Sequence, residues 1–360
     1  MRRDLLPFLQ CIYCRGGELQ LTPLVQQDEH IEEGVLACAA CGAVFPVAGG
    51  IPRLAETSAV EFDWLLKKHG CRSRQPRQAC PTRTSRKTRE GFNEQFRTAF
   101  HAPVQTLRGD FAARDHKNFF LATETSATTA QSLFEGKIFL DVGCGAGQYS
   151  YDALSFGATV ISLDMNDVGL TTYHQAFRDH PSQHAIQASA LKLPLKTECV
   201  DYAWSMGVLH HMDDMLQGFL EMARVLTVGG FHNVGVYYQY KHWQYYAALR
   251  KVTTHMPFFA LWPWCHLVAC LSYIPRLSFL AHPWVERHER YRSRLTGAFD
   301  HFHPPIQGYY APQQVASWYD ELGCFDNAHM TPVWNNFVGR KVAALTKEFS
   351  ELTKASIMRC

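Results

Sequence analysis

The sequence predicts an α/β fold in which helices cover both faces of a mostly parallel sheet, and two stretches carry that prediction. Residues 137–149, KIFLDVGCGAGQY, join an apolar strand to a helix start through a loop with glycines at 143, 145 and 147. Such a loop turns sharply and lets a ligand lie against bare backbone, where a side chain would block it. Residues 158–164, ATVISLD, read as a second β-rich strand ending on a carboxylate, Asp164, that can accept both hydroxyls of a ribose. The spacing is G-x-G-x-G, so the third glycine falls one residue too early for the dinucleotide fingerprint G-x-G-x-x-G, and Asp141 closes the strand before the loop. Both departures favour a ligand without a pyrophosphate.

A chain of 360 residues exceeds the roughly 100–200 typical of one domain, and its patterning divides it into units at 1–56, 57–130, 131–236 with 311–346, and an insertion at 237–310. An apolar content of 47% supplies a proper core, and a net charge of +2 demands no polyanion partner. The first unit holds two C-x-x-C knuckles, Cys11/Cys14 and Cys38/Cys41, whose four thiolates can close a tetrahedron around zinc with no open position, a structural site. The 23 residues between Cys14 and Cys38 exceed the usual ribbon interval of about 15–20, and a hairpin through residues 19–24 absorbs the excess. Thiols packed as small hydrophobes, or a redox pair, are the alternatives. The start of the chain has too short an apolar stretch for a secretory signal, so reduced thiols and a cytoplasmic location are expected.

Residues 67–77, followed by Arg83, Arg86, Lys87 and Arg89, are one-sidedly basic and poor in apolar groups, which predicts a mobile linker. RNA or anionic lipid is the alternative occupant of that charge, although aromatics for base stacking are not interleaved with it. Residues 91–97 and 114–121 look helical. Their phenylalanines, Phe92, Phe96, Phe119 and Phe120, are either lid residues or the core of a helical cap.

Within the insertion, residues 256–274 form an apolar run as long as a short membrane span, but Pro257 and Pro263 break its first half and His266 lies inside it. The expectation is a buried helical cap lining an apolar pocket, with transient docking on a membrane surface through Trp262 and Trp264 as the alternative. Residues 311–323 then have Pro at the entrance and Gly at the exit of a last core helix, and 327–334 and 337–344 suit a pair of antiparallel strands.

Residues 131–236 resemble the class I S-adenosylmethionine-dependent methyltransferases, in particular the type 11 branch. Besides the glycine loop and Asp164, the likeness rests on Ala188-Ser189-Ala190 and Leu193-Pro194 after the third strand, residues 200–205 as the fourth, and 221–226 with Gly229-Gly230 before the fifth. The resemblance implies a Rossmann-like seven-stranded sheet and S-adenosylmethionine as cofactor. It places Asp141 near the methionine amino group and Asp164 at the ribose, with Gly143, Cys144, Gly145, Gly147, Gln148, Met165, Ser189, Ala190 and Ser205 lining the remainder. The family usually has Asp where Ser189 stands, so adenine recognition is expected to be weaker or to fall to the backbone. Val228 replaces a usual Pro in a turn. Residues 7–55 resemble the zinc ribbon of activator proteins for tRNA methyltransferases, which is also found fused to methyltransferases.

Methyl transfer from an activated sulfonium asks the protein to align, desolvate and, for a protonated acceptor, deprotonate. His210 and His211, just after the fourth strand, are the candidate bases, and Tyr149 beside the glycine loop is a further candidate to face the acceptor. The acceptor expected from the apolar insertion is a small, largely non-polar metabolite. An RNA methyltransferase, suggested by the ribbon and the basic stretch, is the alternative, although residues 205–208, SMGV, lack the Asn/Asp-Pro-Pro-aromatic motif used for adenine amino groups. A non-catalytic protein that kept the fold is the third reading, and the retained Asp141, glycines and Asp164 weigh against it.

Overall fold

The computed structural model describes residues 1–71, 83–98, 104–113, 116–239, 243–274, 291–332 and 336–345. The N-terminal unit is a four-stranded antiparallel sheet of β1 (Leu19–Gln27), β2 (His30–Cys38), β3 (Val44–Ala48) and β4 (Ile51–Pro52). Short helices α1 (Ser58–Glu61) and α2 (Asp63–Lys68) follow, and then α3 (Arg83–Thr98), α4 (Val104–Ala112), α5 (Lys117–Thr123) and α6 (Ala127–Phe134).

The second sheet is built from β5 (Ile138–Val142), α7 (Gln148–Ser155), β6 (Thr159–Asp164), α8 (Asp167–Phe177), β7 (Gln183–Gln187), β8 (Val200–Met206), α9 (Met215–Val225) and β9 (Leu226–Gly235). The insertion contributes α10 (Trp243–Thr253), α11 (Phe258–Leu271) and α12 (Tyr291–Phe302). The chain returns through α13 (Pro312–Leu322) to β10 (Phe325–Met330) and β11 (Asn336–Lys341). The order is β10-β11-β9-β8-β5-β6-β7, seven strands of which only β11 runs antiparallel to its neighbours. This is the predicted sheet. It reverses between β5 and β8, and a parallel sheet that reverses its winding opens a crevice beyond the carboxyl ends of the central strands. β5 and β6 are apolar on both faces because helices cover both, with Phe139, Leu140, Val160 and Ile161 all buried.

One sequence expectation changes. The basic stretch is helical from Arg83 onward, and only residues 72–82, with Arg72, Arg74 and Arg77, lie outside the described residues. Arg89 is drawn into the fold by Glu61, 2.6 Å away, and by the Thr57 hydroxyl at 3.2 Å. The ribbon, moreover, is not an appended bead. Leu5, Leu9, Ile12 and Phe45 share one continuous core with Leu163 and Ile186 of the large sheet and with Leu195 between β7 and β8. The Gln10 N–H donates to Pro194 O at 3.0 Å, that of Lys196 to Phe8 O at 2.9 Å, and that of Leu54 to Gln187 O at 2.8 Å. The buried Arg53 guanidinium reaches Gln187 Oε1 and Asp167 at the start of α8. Among the described residues no helix is long and apolar enough to cross a membrane.

Candidate active site and thiol cluster

The glycine loop runs from the end of β5 into α7 and is pinned to the neighbouring strand, since Gly143 and Cys144 donate to Leu163 O at 2.7 and 3.1 Å. Gly145 sits at φ 55°, in the left-handed region, and a Cβ there would come within 2.7 Å of the Phe96 ring. Asp164 ends β6 with one carboxylate oxygen accepting the Gly145 N–H at 2.7 Å and the other the Asn166 N–H at 2.6 Å. Burial pushes its carboxyl up to about 6 against those N–H groups. Asp141 is buried at the foot of the loop, where Ser162 Oγ donates to Ser150 Oγ and Ser150 Oγ to Asp141 Oδ2, each at 2.7 Å. Burial raises its carboxyl to about 7. Two carboxyls near neutrality at the mouth of a glycine loop suit a ligand that brings a cation and a pair of hydroxyls.

The other predicted cofactor residues cluster around this point. Ser205 Oγ donates to Val142 O at 3.0 Å, Met165 O accepts from Gln187 Nε2 at 3.3 Å, Cys144 and Ala190 are buried, and Gln148 is exposed at the start of α7. Ser189 Oγ accepts the Leu191 N–H at 3.2 Å, capping the short turn that follows β7. Gly147, at φ 83°, leaves room for the Tyr173 ring.

Helix α3 lies across this end of the sheet. Phe96 packs over Gly145 and Gly169, Asn93 Oδ1 accepts the Val168 N–H at 3.3 Å, and Phe92 stands edge-on to His211 with ring centroids 5.2 Å apart. Phe119, by contrast, is a core residue among Phe134, Phe139 and Trp204, and Phe120 packs on Phe156. Periodicity could not separate these pairs, because apolar spacing on a helix marks a face that is covered without saying what covers it.

His210 and His211 follow β8 and are both buried. His210 stacks on Tyr237 at 4.0 Å. His211 Nδ1 lies 3.0 Å from Ile306 O, a carbonyl that can only accept, so Nδ1 carries the hydrogen and Nε2 is the basic nitrogen. Burial holds the His211 imidazole below its ordinary value, hence neutral at pH 7. Tyr149 packs on Trp204, centroids 4.9 Å apart, against the aromatic core that holds Phe119 and Phe139. Sequence reasoning missed Gln95 and Asp300, whose side chains meet at 3.3 Å beside this cluster.

At the other end, the sulfurs of Cys11, Cys14, Cys38 and Cys41 all lie within 4.8 Å of one another, with Cys11–Cys41 at 3.6 Å and Cys14–Cys38 at 3.5 Å. None is in a disulfide. Gly17 permits this crowding, since a Cβ there would lie 2.2 Å from Cys38 Sγ.

Among the described residues, the insertion does not show the apolar pocket that was expected. Leu261, Cys265, Val268 and Ala269 of α11 pack directly on Phe299 and Phe302 of α12, which fills the space, while Phe259 is 79% exposed on the outer surface.

Comparison with known proteins agrees with this geometry. Residues 140–234 match the family described as methyltransferase domain, and residues 2–50 the family described as Trm112p-like protein. The relatives include tRNA U34 carboxymethyltransferases of Ectopseudomonas mendocina, 35% identical over 98 residues, and of Pseudomonas paraeruginosa, 38% identical over 99. Each match covers 26% of this chain and 30% of the relative, so the chain spans under a third of the length of these curated relatives. Among solved structures, the complex between the Haloferax volcanii Trm112 methyltransferase activator and its methyltransferase aligns with a TM-score of 0.39 at 13% identity, over 74% of this chain and 100% of that one. The PH0226 protein of Pyrococcus horikoshii aligns with 0.31 at 20%, over 39% and 64%.

These findings correct the expected acceptor. The relatives are named for a tRNA nucleotide, and the described apolar residues of α11 and α12 pack on each other, so a small, largely apolar metabolite as the acceptor is set aside. The chain carries a class I, type 11 S-adenosylmethionine-dependent methyltransferase domain, joined at its N-terminal side to a Trm112p-like ribbon.

Proposed function

We propose that the protein transfers a methyl group from S-adenosylmethionine to RNA, with tRNA the first acceptor to test. The observation that carries the reading is that relatives 35–38% identical over 98–99 residues are named for a tRNA nucleotide, while the methyltransferase-domain match, residues 140–234, spans the candidate site from the glycine loop through His210 and His211. The Trm112p-like ribbon packed into the same core supports it.

S-Adenosylmethionine, when bound, supplies a methyl group already activated on a sulfonium. The chain's own groups fit it. Asp164 accepts the ribose hydroxyls, Asp141 stabilises an ammonium through the loop, and the loop glycines leave backbone open to it. Cys144, Gln148, Met165, Ser189, Ala190 and Ser205 border that volume. On the acceptor side, neutral His211 takes the proton of an attacking nitrogen or hydroxyl on Nε2, with its Nδ1–H held by Ile306 O. Zinc suits the thiol cluster, because tetrahedral bonds of about 2.3 Å place sulfurs about 3.8 Å apart, close to the 3.5 and 3.6 Å seen.

With labelled donor, label should enter total RNA and not a metabolite extract, and incorporation should fall steeply with added salt, because phosphate contacts release counterions. Label confined to the metabolite fraction would refute the reading. A second test follows from Asp141. Its carboxyl is held near 7 without ligand, and an ammonium beside it lowers that value, so binding releases a proton between the bound value and about 7. Donor affinity should therefore rise with pH up to about 7, and Asp141→Asn should flatten the profile. Calorimetry in buffers of different ionisation enthalpy measures the proton directly.

A further inference from the structure

The insertion sends one carboxylate towards the candidate base. Asp300 lies on α12, and its Oδ2 accepts the Tyr237 hydroxyl at 2.7 Å while Oδ1 accepts Gln95 Nε2 at 3.3 Å. Tyr237 follows β9 and stacks on His210, and its ring meets that of His211 edge-on at 5.8 Å. Gln95 is fully buried on α3, between Phe92, which abuts His211, and Phe96, which covers Gly145. Phe92 and Phe96 are four residues apart, so about one helical turn, roughly 5.4 Å along α3, separates the contact with the base from the contact with the glycine loop. His303, a turn beyond Asp300, packs so closely on Gly91 that a Cβ there would lie 2.2 Å from its ring. Three elements remote in sequence thus meet at one carboxylate. The His211 Nε2 they surround is buried and has no hydrogen-bond partner among the described residues, as a nitrogen reserved for an incoming group would be.

We propose that Asp300 is a positioning residue for the methyl-transfer reaction: from the insertion it fastens Tyr237 and, through Gln95, the lid helix α3 around His211, so that the base faces a closed compartment. This rests on methyl transfer with His211 as base, and not on RNA as the acceptor. In the step served, a lone pair of the acceptor atom forms the bond to the methyl carbon, the carbon–sulfur bond electrons remain on sulfur, and the acceptor's proton goes to His211 Nε2. Asp300 also supplies negative charge that favours the imidazolium so formed, against the opposing charge of Arg250 of α10. The further groups facing His211 are His210 and Tyr237.

The test uses the full chain with S-adenosylhomocysteine as probe and needs no acceptor. Asp300→Asn should speed amide exchange in residues 91–97 about tenfold or more, leave exchange in β5 and β6 unchanged, and move the His211 imidazole resonance titration to lower pH. Asp300→Glu should restore part of both. Tyr237→Phe, which keeps the ring and loses the hydroxyl, should loosen Asp300 and shift the same titration without unfolding α12, and it decides the matter if Asp300→Asn disorders the insertion. Unchanged exchange in 91–97 and an unchanged His211 titration in both variants would overturn the proposal. Because no RNA is present, that failure is separate from a failure of RNA labelling.

Discussion

Asp164→Ala should weaken donor binding by more than a hundredfold, and Gly145→Val should abolish it. The alanine variant removes a charged acceptor for two ribose hydroxyls, each such bond contributing about 1.5–3 kcal/mol. It also releases the Gly145 and Asn166 N–H groups that the carboxylate now holds at 2.7 and 2.6 Å, so the loop loses its shape as well as its ligand contact. The valine variant forces a branched side chain onto a residue at φ 55° whose Cβ would already lie 2.7 Å from Phe96. Calorimetric titration with S-adenosylhomocysteine reads both. Undiminished affinity in Asp164→Ala would show that the ribose site is elsewhere.

Loss of the thiol cluster should be felt throughout the molecule. Elemental analysis is expected to find about one zinc per chain, and Cys38→Ser to release it. The shared core carries the effect beyond the ribbon, because Leu5, Leu9, Ile12 and Phe45 pack on the strands that carry the ribose end of the candidate site. Arg15, next to Cys14 in the first knuckle, also pairs at 2.8 Å with Glu221, a fully buried carboxylate that accepts the Leu193 N–H and is braced by Arg224. Freeing Arg15 leaves that buried charge with less compensation, a costly change. The melting temperature should fall by roughly 5 °C or more in a single transition, and donor affinity should fall with it. Two separate transitions, with the large sheet unaffected, would mean that the ribbon is a passenger.

The sheet was legible because its signals are local. The glycine run at 143–147, the strand-terminal Asp164 and the four cysteines each announce their chemistry within a few residues. What the sequence hid depends on contacts between distant segments. Arg53 looks like any surface arginine until β4 brings it against Gln187 and Asp167. Asp300 and Gln95 are 205 residues apart, and nothing in either local pattern points to the other. The insertion misled for a related reason. An apolar helix that lines a cavity and one that packs flush on its neighbour have the same composition, and only the seating of Cys265 and Val268 against Phe299 and Phe302 decides between them. The basic run failed as a linker from Arg83 onward because Arg89 is met by Glu61, and the downstream face of the helix, Phe92, Gln95 and Phe96, is anchored over the glycine loop.

The most direct test of the central claim is the identity of the labelled product. RNA exposed to the protein and methyl-labelled S-adenosylmethionine should be digested to nucleosides and weighed, with Asp164→Ala as the control. The account predicts one nucleoside heavier by about 14 mass units plus the excess of the isotope used, the gain of a single methyl group, absent with the variant. Labelled product found only among small metabolites, or RNA labelled equally by Asp164→Ala, would contradict it.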